Sequence, residues 1–391
     1  MFPLLARGPF TFCLPGPATP PAMSRPPAWG AVSTRTAVCH IRRNLLAFAC
    51  AIPILCLAPA PASAQVFEAV GARALGMGGA FVGVADDGTA TYWNPAGLAT
   101  GATVDVCAAH GREERFPGGR GAAPAGEGGG GTSFCLAVPA IGLSYNHLSV
   151  RRADPADSST GVDPGSRQDH RLRGVGVSSL TTGHYGLTLV QTVLPGVVVG
   201  ATLKAVRGTA ADGAVAAGTT APDAVKAARD LEGRASTTVD ADVGLMAGGG
   251  PVRVGLTIRN LRRPSFETPS GERLGLARQA RVGVAWTPGG DAAVNIADPR
   301  GLILALDADL TRTATAVGER RQIAFGAERW WLGRRLGLRA GARASTIGAA
   351  RPVAAAGVSV SVRRGVFLEA AGTRGHRDGD RGWIIGLRAG L

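Results

Sequence analysis

Hydrophobic and polar residues alternate along most of the chain after residue 100. In residues 335–344, leucine and alanine occupy every second position, and arginine or glycine occupies most of the positions between them. Residues 252–259 repeat the pattern, with aliphatic residues opposite arginine, glycine and threonine. A period of two predicts β-strands with one apolar and one polar face. Similar alternation predicts strands at 104–108, 134–138, 141–149, 185–193, 197–206, 238–245, 280–286, 302–310, 322–330, 353–362, 366–372 and 383–391. The alternation of long and short connections requires that 171–193 form one long strand.

The connections between these predicted strands alternate between long and short, and only the connection at 288–301 breaks the contrast. A soluble β-sandwich would also show alternating residues. Long loops on one side, short turns on the other, aliphatic residues toward lipid and polar residues toward a wet lumen are typical of outer-membrane barrels. The sequence therefore predicts an all-β fold, a transmembrane antiparallel β-barrel of about 14 strands, or 15 segments if 171–193 divides in two.

The first 64 residues have the composition of an export signal. They contain five arginines and no acidic residue, with Arg42 and Arg43 ahead of the apolar run 45–57 and a small-residue cleavage site ending at Ala64. The Pro-rich residues before Arg42 indicate a miscalled start codon. We therefore interpret residues 1–64 as a signal peptide with an N-terminal extension, and the mature chain as starting at Gln65.

A Gly-rich stretch, residues 71–99, separates this signal from the first predicted strand. Its glycines suit close backbone packing, while its Asp-Asp and Asn-Pro pairs are turn formers that interrupt regular structure. The run from Gly76 to Phe81 lacks the third glycine of a dinucleotide fingerprint, and no Gly-Lys-Ser/Thr of a phosphate loop follows. This stretch predicts a compact irregular segment without a nucleotide site.

Three pieces of this stretch together resemble the N-terminal segment of FadL-like outer-membrane transport proteins, in the branch of PorV-like and PorQ-like proteins. They are a Gly-Met-Gly-Gly-Ala start, an Ala-Asp-Asp turn and an Asn-Pro-Ala end. The resemblance implies that residues 65–100 fold inward as a plug within a barrel formed by 101–391. It implies plug or gating roles for Gly76, Gly78, Gly79, Asp86, Asp87, Asn94, Pro95 and Ala96.

Two alternatives remain open for these plug residues. In one, the glycines give the plug freedom to move, and Asp86, Asp87 and Asn94 hold it by hydrogen bonds to inward arginines. In the other, the same residues only fill the lumen. One departure from the family is Leu391, since such barrels usually end on an aromatic residue.

The resemblance also implies a function. The leading hypothesis is transport of hydrophobic, fatty-acid-like small molecules by a monomer in the lipid of a diderm outer membrane, with no cofactor. The alternative follows PorV-like relatives, which hold exported proteins at the outer membrane during secretion, and the partner would then be an exported protein. A structural barrel and a soluble periplasmic β-protein are further alternatives. No residue can be assigned to ligand binding from the sequence.

The net charge of +14 raises the question of a nucleic-acid partner. After removal of the signal, 37 basic residues minus 28 acidic residues leave +9, and nearly all of the cations are arginine. Nucleic-acid binding would gather these cations into a patch, but here they are spread singly along strands and loops. We therefore expect arginines that line a lumen and its rim, and no nucleic acid.

Residues for catalysis or metal binding are not found in recognisable patterns. No Gly-x-Ser-x-Gly, His-Glu-x-x-His or Cys-x-x-Cys motif occurs, and the histidines are scattered, so we expect neither an enzyme nor a metal site. Asp307 and Asp309 share an inward face and could act as paired carboxylates, but we favour counter-charges to arginine. Cys107 and Cys135 are the cysteines left in the mature chain. Both point inward on neighbouring strands and could form a disulfide.

Overall fold

The structure, a computed structural model, describes residues 70–116, 125–154, 174–216, 218–288, 301–315, 318–376 and 380–390. The predicted signal peptide, 1–64, and the first residues of the predicted plug, 65–69, lie outside these ranges. Among the described residues, no helix is both long enough and apolar enough to cross a membrane.

Eighteen strands are present in the described ranges. They are β1 (Asp105–Arg115), β2 (Gly126–Val138), β3 (Ile141–Asp154), β4 (Val175–Leu194), β5 (Val197–Val215), β6 (Arg234–Gly249), β7 (Val252–Arg259), β8 (Ser265–Glu267), β9 (Arg273–Gly275), β10 (Gln279–Trp286), β11 (Leu302–Asp309), β12 (Thr313–Thr315), β13 (Gly318–Arg320), β14 (Gln322–Trp331), β15 (Leu336–Ser345), β16 (Val353–Arg363), β17 (Val366–Gly375) and β18 (Arg381–Gly390). Pairs β8–β9 and β12–β13 form small hairpins, and the other fourteen strands form a closed barrel.

The barrel is antiparallel throughout, and it closes where β1 pairs with β18 between Asp105 and Gly390. The predicted count of 14 is confirmed, because the described part of the doubtful segment at 171–193 is the single strand β4. Each sequential hairpin pairs its own strands, so the whole wall follows chain order.

The two faces of the wall match the predicted alternation. On β5, Leu203 is 59% exposed, whereas its neighbour Lys204 is 3% exposed and points inward. On β15, Leu338 is exposed while Arg339 and Arg343 are buried. The outer face is a belt of exposed leucine, valine, isoleucine and aromatic side chains, as lipid contact requires.

The hairpins on the long-loop side are taller than the sequence pattern predicts. Residues 111–131, which connect the predicted strands 104–108 and 134–138, contribute to both β1 and β2. Residues 208–235, which connect the predicted strands 197–206 and 238–245, contribute to β5 and β6. Residues 126–131 show no alternation because five of the six are glycine, yet ladder hydrogen bonds need only the backbone. Between β5 and β6 lies a short helix, Ala221–Ala227, capped by Thr220.

The interior of the barrel holds the segment 70–100, which we call the plug. It contains α1 (Ala72–Gly76), α2 (Ala90–Trp93) and a 3-10 helix (Pro95–Thr100), so the helix between β5 and β6 is α3. Nearly every residue from 70 to 98 is buried. The described part of the predicted plug therefore lies inside the barrel, and at this level the inward polar groups of the wall bind the plug instead of facing water.

Candidate functional site

The interface between plug and barrel is the candidate functional site. Apolar plug side chains, among them Met77, Phe81 and Trp93, form one core cluster with the small or aliphatic inward residues Ala285 and Ile303 of the wall. Burial of this apolar surface favours the inserted position at roughly 25 cal/mol per Å² removed from water. The polar contacts described next fix where the plug sits.

The glycines of the plug meet glycines of the wall. A Cβ on Gly341 of β15 would lie 2.3 Å from the carbonyl carbon of Met77, and one on Gly357 of β16 would lie 3.1 Å from Cα of Gly76. Gly78 has a φ of +69°, and its own Cβ would lie 2.8 Å from the backbone nitrogen of Ala342. Backbone therefore packs directly on backbone, and a side chain on either surface would push the two apart.

A second glycine surface receives the end of the plug. A Cβ on Gly200 of β5 would lie 2.4 Å from the nitrogen of Ala96, and one on Gly244 of β6 would lie 2.1 Å from Oδ1 of Asn94. The side chain of Asn94 donates to the backbone carbonyl of Leu245 at 3.2 Å, and to that of Val82 within the plug at 3.0 Å. Its Oδ1 accepts from the nitrogen of Ala96 at 3.2 Å, which caps the 3-10 helix that begins at Pro95.

Arg73 is the centre of a buried charge network. Its guanidinium donates to both carboxylate oxygens of Glu328 on β14, at 2.7 and 2.8 Å, and also contacts Asp86 and Asp87 of the plug. Burial opposes the charge of Arg73, yet Asp86, Glu328 and Asp87 hold its pKa well above the ordinary value. Glu328 also accepts from Arg339 at 2.6 Å, so one carboxylate joins plug and wall. Bidentate contacts of this kind are among the strongest hydrogen bonds in proteins.

Asp87 extends this network to β18. Its carboxylate lies 3.4 Å from Arg388 and accepts from the backbone nitrogen of Thr89 at 3.0 Å. Burial opposes the negative charge, but Arg73 and Arg388 hold the pKa of Asp87 below its ordinary value. Asp86 contacts Arg73 inside the plug. Of the three residues expected to bond inward arginines, Asp87 is placed beside a wall arginine, whereas Asn94 contacts the wall backbone.

Inward charges of β7, β10 and β11 bind the backbone of the plug. Asp307 accepts from the nitrogens of Phe81 and Val82 at 2.9 and 2.8 Å. Arg253 donates to the carbonyls of Gly83 and Val84 at 2.8 and 2.6 Å. These bonds satisfy plug groups that would otherwise be buried without partners.

The two aspartates of β11 therefore have separate partners. Asp309 accepts from Arg281 at 2.6 Å, as a counter-charge would, while Asp307 holds the plug backbone. This geometry separates their partners instead of directing both carboxylates at one reacting atom. In the described ranges, no group of three or more His, Cys, Asp and Glu side chains could hold a metal ion.

A further polar cluster lies under α2. Lys204 contacts Asp240 at 3.1 Å and Asp242 at 2.7 Å, and donates to Asn260 at 2.9 Å. The guanidinium of Arg259 lies 3.5 Å from the ring centroid of Tyr92, a cation–π contact between wall and plug.

Cys107 and Cys135 are register partners on β1 and β2, with Cα atoms 5.0 Å apart, and the structure joins them in a disulfide. Their sulfur atoms face the plug, since a Cβ on Gly88 would lie 2.3 Å from Sγ of Cys135. That these two thiols are oxidised to a disulfide in the folded protein stays a prediction.

Where the plug meets the wall on the long-loop side, a small cavity of about 30 Å³ remains. Its apolar side is formed by Leu75 of α1 and by Leu148 and Ile384 of the wall, beside the side-chain-free positions Gly129 and Gly130. Charged residues complete the lining, namely Arg112, Glu113, Arg115 and Glu127. The cavity has the space of about one water molecule. An organic ligand can enter only if the plug or the wall moves.

The sequence did not single out Arg73, Glu328, Arg253 or Lys204. The signal that could have found the wall residues is the pairing of inward glycines with inward charges, as in Gly326-Ala327-Glu328. A glycine marks where the plug backbone approaches, and a charge two residues away can then reach it.

Several solved barrels share this fold. The CymD monoaromatic hydrocarbon channel has a TM-score of 0.56 at 12% identity, over 84% of this chain and 99% of that chain. The P. putida toluene transporter TodX has a TM-score of 0.52 at 11% identity, over 83% and 99%. A Pseudomonas aeruginosa FadL homologue has a TM-score of 0.51 at 12% identity, over 81% and 97%. The protein is therefore a closed barrel of the FadL and TodX fold.

Sequence comparison matches only part of the chain to a family. A family model described as "F plasmid transfer operon, TraF, protein" matches residues 141–296, from β3 to beyond β10. No curated protein matches the chain.

Proposed function

We propose that this protein carries hydrophobic small molecules across the outer membrane of a diderm bacterium, after export by its N-terminal signal. The observation that carries the proposal is the small cavity whose apolar side is formed by Leu75 of the plug and Leu148 and Ile384 of the wall. It lies on the long-loop side of a closed lumen, so it is the natural place for an apolar ligand to press against α1. TodX is a toluene transporter and CymD a monoaromatic hydrocarbon channel, which supports the same class of substrate.

The mechanism follows from what holds the plug. A ligand that widens the cavity must displace α1, and displacement strains the contacts of Arg73 with Glu328 just below it. Two exits then exist, either past the displaced plug or sideways through the wall beside Gly129 and Gly130. Because residues 70–98 fill the described part of the lumen at plug level, we expect small hydrophilic solutes to stay excluded. No step in this mechanism requires a cofactor or a chemical reaction.

We also propose that this protein belongs to the PorV- and PorQ-like branch of the FadL-like barrels. The motif at Gly76–Ala80, with Asn94, Pro95 and Ala96, supports a place in the PorV- and PorQ-like branch. In that branch the long loops would bind an exported protein. Assistance to protein secretion is therefore the alternative function that an experiment has to separate from transport.

Uptake tests the proposal directly. Cells that lack their own hydrocarbon transporters are supplied with the full chain, and the entry of labelled toluene is compared with that of labelled arabinose. We expect faster toluene entry than in vector-only cells, with arabinose entry unchanged. Equal toluene entry with and without the chain would overturn the proposal, and a simultaneous loss of surface-protein release in a deletion strain would favour the secretion partner.

A further inference from the structure

A polar pocket of about 370 Å³ opens on the long-loop side, next to the small cavity, with which it shares Arg115. It is built by the connection between β11 and β14, the connection between β15 and β16, and residue Asp380 ahead of β18. Its volume falls in the range of ordinary small-molecule sites. The transport proposal does not use this pocket.

Five arginines line the pocket, against two carboxylates. The arginines are Arg115, Arg312, Arg320, Arg343 and Arg351, and the carboxylates are Glu319 and Asp380. Glu113 and Glu127 lie behind Arg115, and Glu113 also contacts Arg343. Arginines still outnumber these four carboxylates. The pocket therefore favours an anion.

Arg343 supplies a second, independent observation. It is 5% exposed, and its Nη1 has no hydrogen-bond partner among the described residues although its Nη2 contacts Glu113. A buried guanidinium nitrogen without a partner destabilises the fold, and a bound oxyanion would supply the missing hydrogen bond. Guanidinium groups match the geometry of phosphate oxygens in particular.

Two acceptors in the same lining also lack partners in the described part of the chain. They are Oε1 of Gln322, which is 3% exposed, and Oδ1 of Asp380, which is 7% exposed. A simple inorganic anion does not satisfy these two oxygens, because it carries few or no hydrogen-bond donors. A ligand that meets all three groups needs an anionic end together with hydroxyl donors.

We propose that this pocket binds a sugar phosphate. The phosphate lies against Arg343 and Arg351, and sugar hydroxyls donate to Gln322 and Asp380. A phosphorylated sugar can reach the pocket from two sources. It is either a free sugar phosphate or the phosphorylated sugar headgroup of a glycolipid in the surrounding leaflet. The proposal does not rest on the transport of hydrophobic molecules, since none of these four residues lines the small cavity and no movement of the plug is needed.

Calorimetric titration of the full chain in detergent tests the proposal with three probes. They are glucose 6-phosphate, glucose and inorganic phosphate. We expect glucose 6-phosphate to bind at least about tenfold more tightly than either of the others, because only it supplies both the oxyanion and the hydroxyls. Equal affinity for glucose 6-phosphate and inorganic phosphate, or no binding of glucose 6-phosphate, would overturn it.

Matched arginine variants locate the site. Arg351→Gln and Arg343→Gln should each weaken glucose 6-phosphate binding by about tenfold, the loss of one charge-assisted hydrogen bond. Arg364→Gln is the control, because Arg364 is an exposed arginine on the short turn between β16 and β17, at the opposite end of the barrel. Arg351→Gln keeps the test valid if Arg343→Gln fails to fold. An equal loss in the Arg364→Gln control would mean general charge attraction and would contradict the site.

The same titration in two kinds of nanodisc separates the sources. One kind contains a phosphorylated glycolipid, and the other contains phosphatidylglycerol at equal charge. Weaker binding of glucose 6-phosphate in the glycolipid discs alone would identify the headgroup as occupant. Equal binding in both would identify a free sugar phosphate. A loss of binding in both kinds of disc would contradict the site.

Discussion

Residues 71–79 of the plug lie against β14–β18 and are held by the ion pairs of Arg73 with Glu328, whereas residues 92–96 lie against β5–β7 and are held by neutral bonds of Asn94. Arg259 adds a cation–π contact with Tyr92 to this second, neutral half. Both halves pack backbone against wall glycines, so shape alone does not distinguish them. A buried ion pair depends on the presence of both partners, while an amide bonded to backbone carbonyls keeps its partners under all conditions of pH. The charged half therefore depends more strongly on single side chains than the neutral half does.

Glu328→Gln should produce the largest effect. It keeps the shape but leaves Arg73 and Arg339 without their shared carboxylate, and removal of one partner from a buried pair costs about 3–5 kcal/mol. Asn94→Ala, in the neutral half, should cost about 1–3 kcal/mol. Urea unfolding in lipid vesicles gives both free energies. If Asn94→Ala proves the more damaging change, the contrast between the two halves is wrong.

Loss of the disulfide should produce the next largest effect. Replacement of both Cys107 and Cys135 by serine should lower the free energy of unfolding by about 3–4 kcal/mol, because the bond closes a loop with a sequence separation of 28. Since the sulfur atoms lie beneath Gly88, between the two halves, we expect hydrogen exchange to rise equally in both halves. Thiol labelling of folded protein without reductant checks the bond itself, and two labelled cysteines would refute it.

Gly341→Ala should lower the free energy of unfolding by about 1–3 kcal/mol, because the added methyl group overpacks the contact between plug and wall. Its new methyl group would lie 2.3 Å from Met77, so hydrogen exchange should rise at residues 71–79 and not at 92–96. Gly200→Ala should do the reverse, since its methyl group meets Ala96 at 2.4 Å. Gly372→Ala is the control, because its nearest neighbour would lie 3.7 Å away. Equal exchange in all three variants would contradict direct backbone packing.

The smallest effect concerns pH. Because the folded protein lowers the pKa of Asp87, its charge stabilises the fold above the unfolded pKa of about 3.9, and this contribution is lost as the pH falls through the folded value. The difference in unfolding free energy between the wild type and Asp87→Asn should be constant from pH 7 to 5 and shrink below about pH 4. A difference that already shrinks between pH 7 and 5 would be inconsistent with a lowered pKa.

Local patterns predicted the barrel wall well. Period-two alternation in segments such as 252–259 reports which face meets lipid, and that contrast is present in each strand on its own. Strand ends were less predictable, because residues 126–131 pair through a backbone that carries almost no side chains. The contents of the lumen were harder still. Arg, Asp and Gly on an inward face are equally consistent with water and with a plug.

The charge network depends on contacts between residues far apart in the chain. Arg73 and Glu328 are 255 residues apart, and nothing local to either residue indicates the other. The plug motif indicated Asp86, Asp87 and Asn94 only through family resemblance. What a single sequence shows is that an inward charge needs a partner, and it does not show which one.

Conductance across a planar bilayer is the most direct test of the central claim that residues 70–98 close the lumen. The intact chain is compared with a variant that lacks these residues, after a heat-dependent gel shift has shown that both are folded barrels. We predict no ion-conducting pore for the intact chain and a steadily open pore for the variant. Equal conductance in the two would contradict the account, because the lumen would then be open or blocked by something other than the plug.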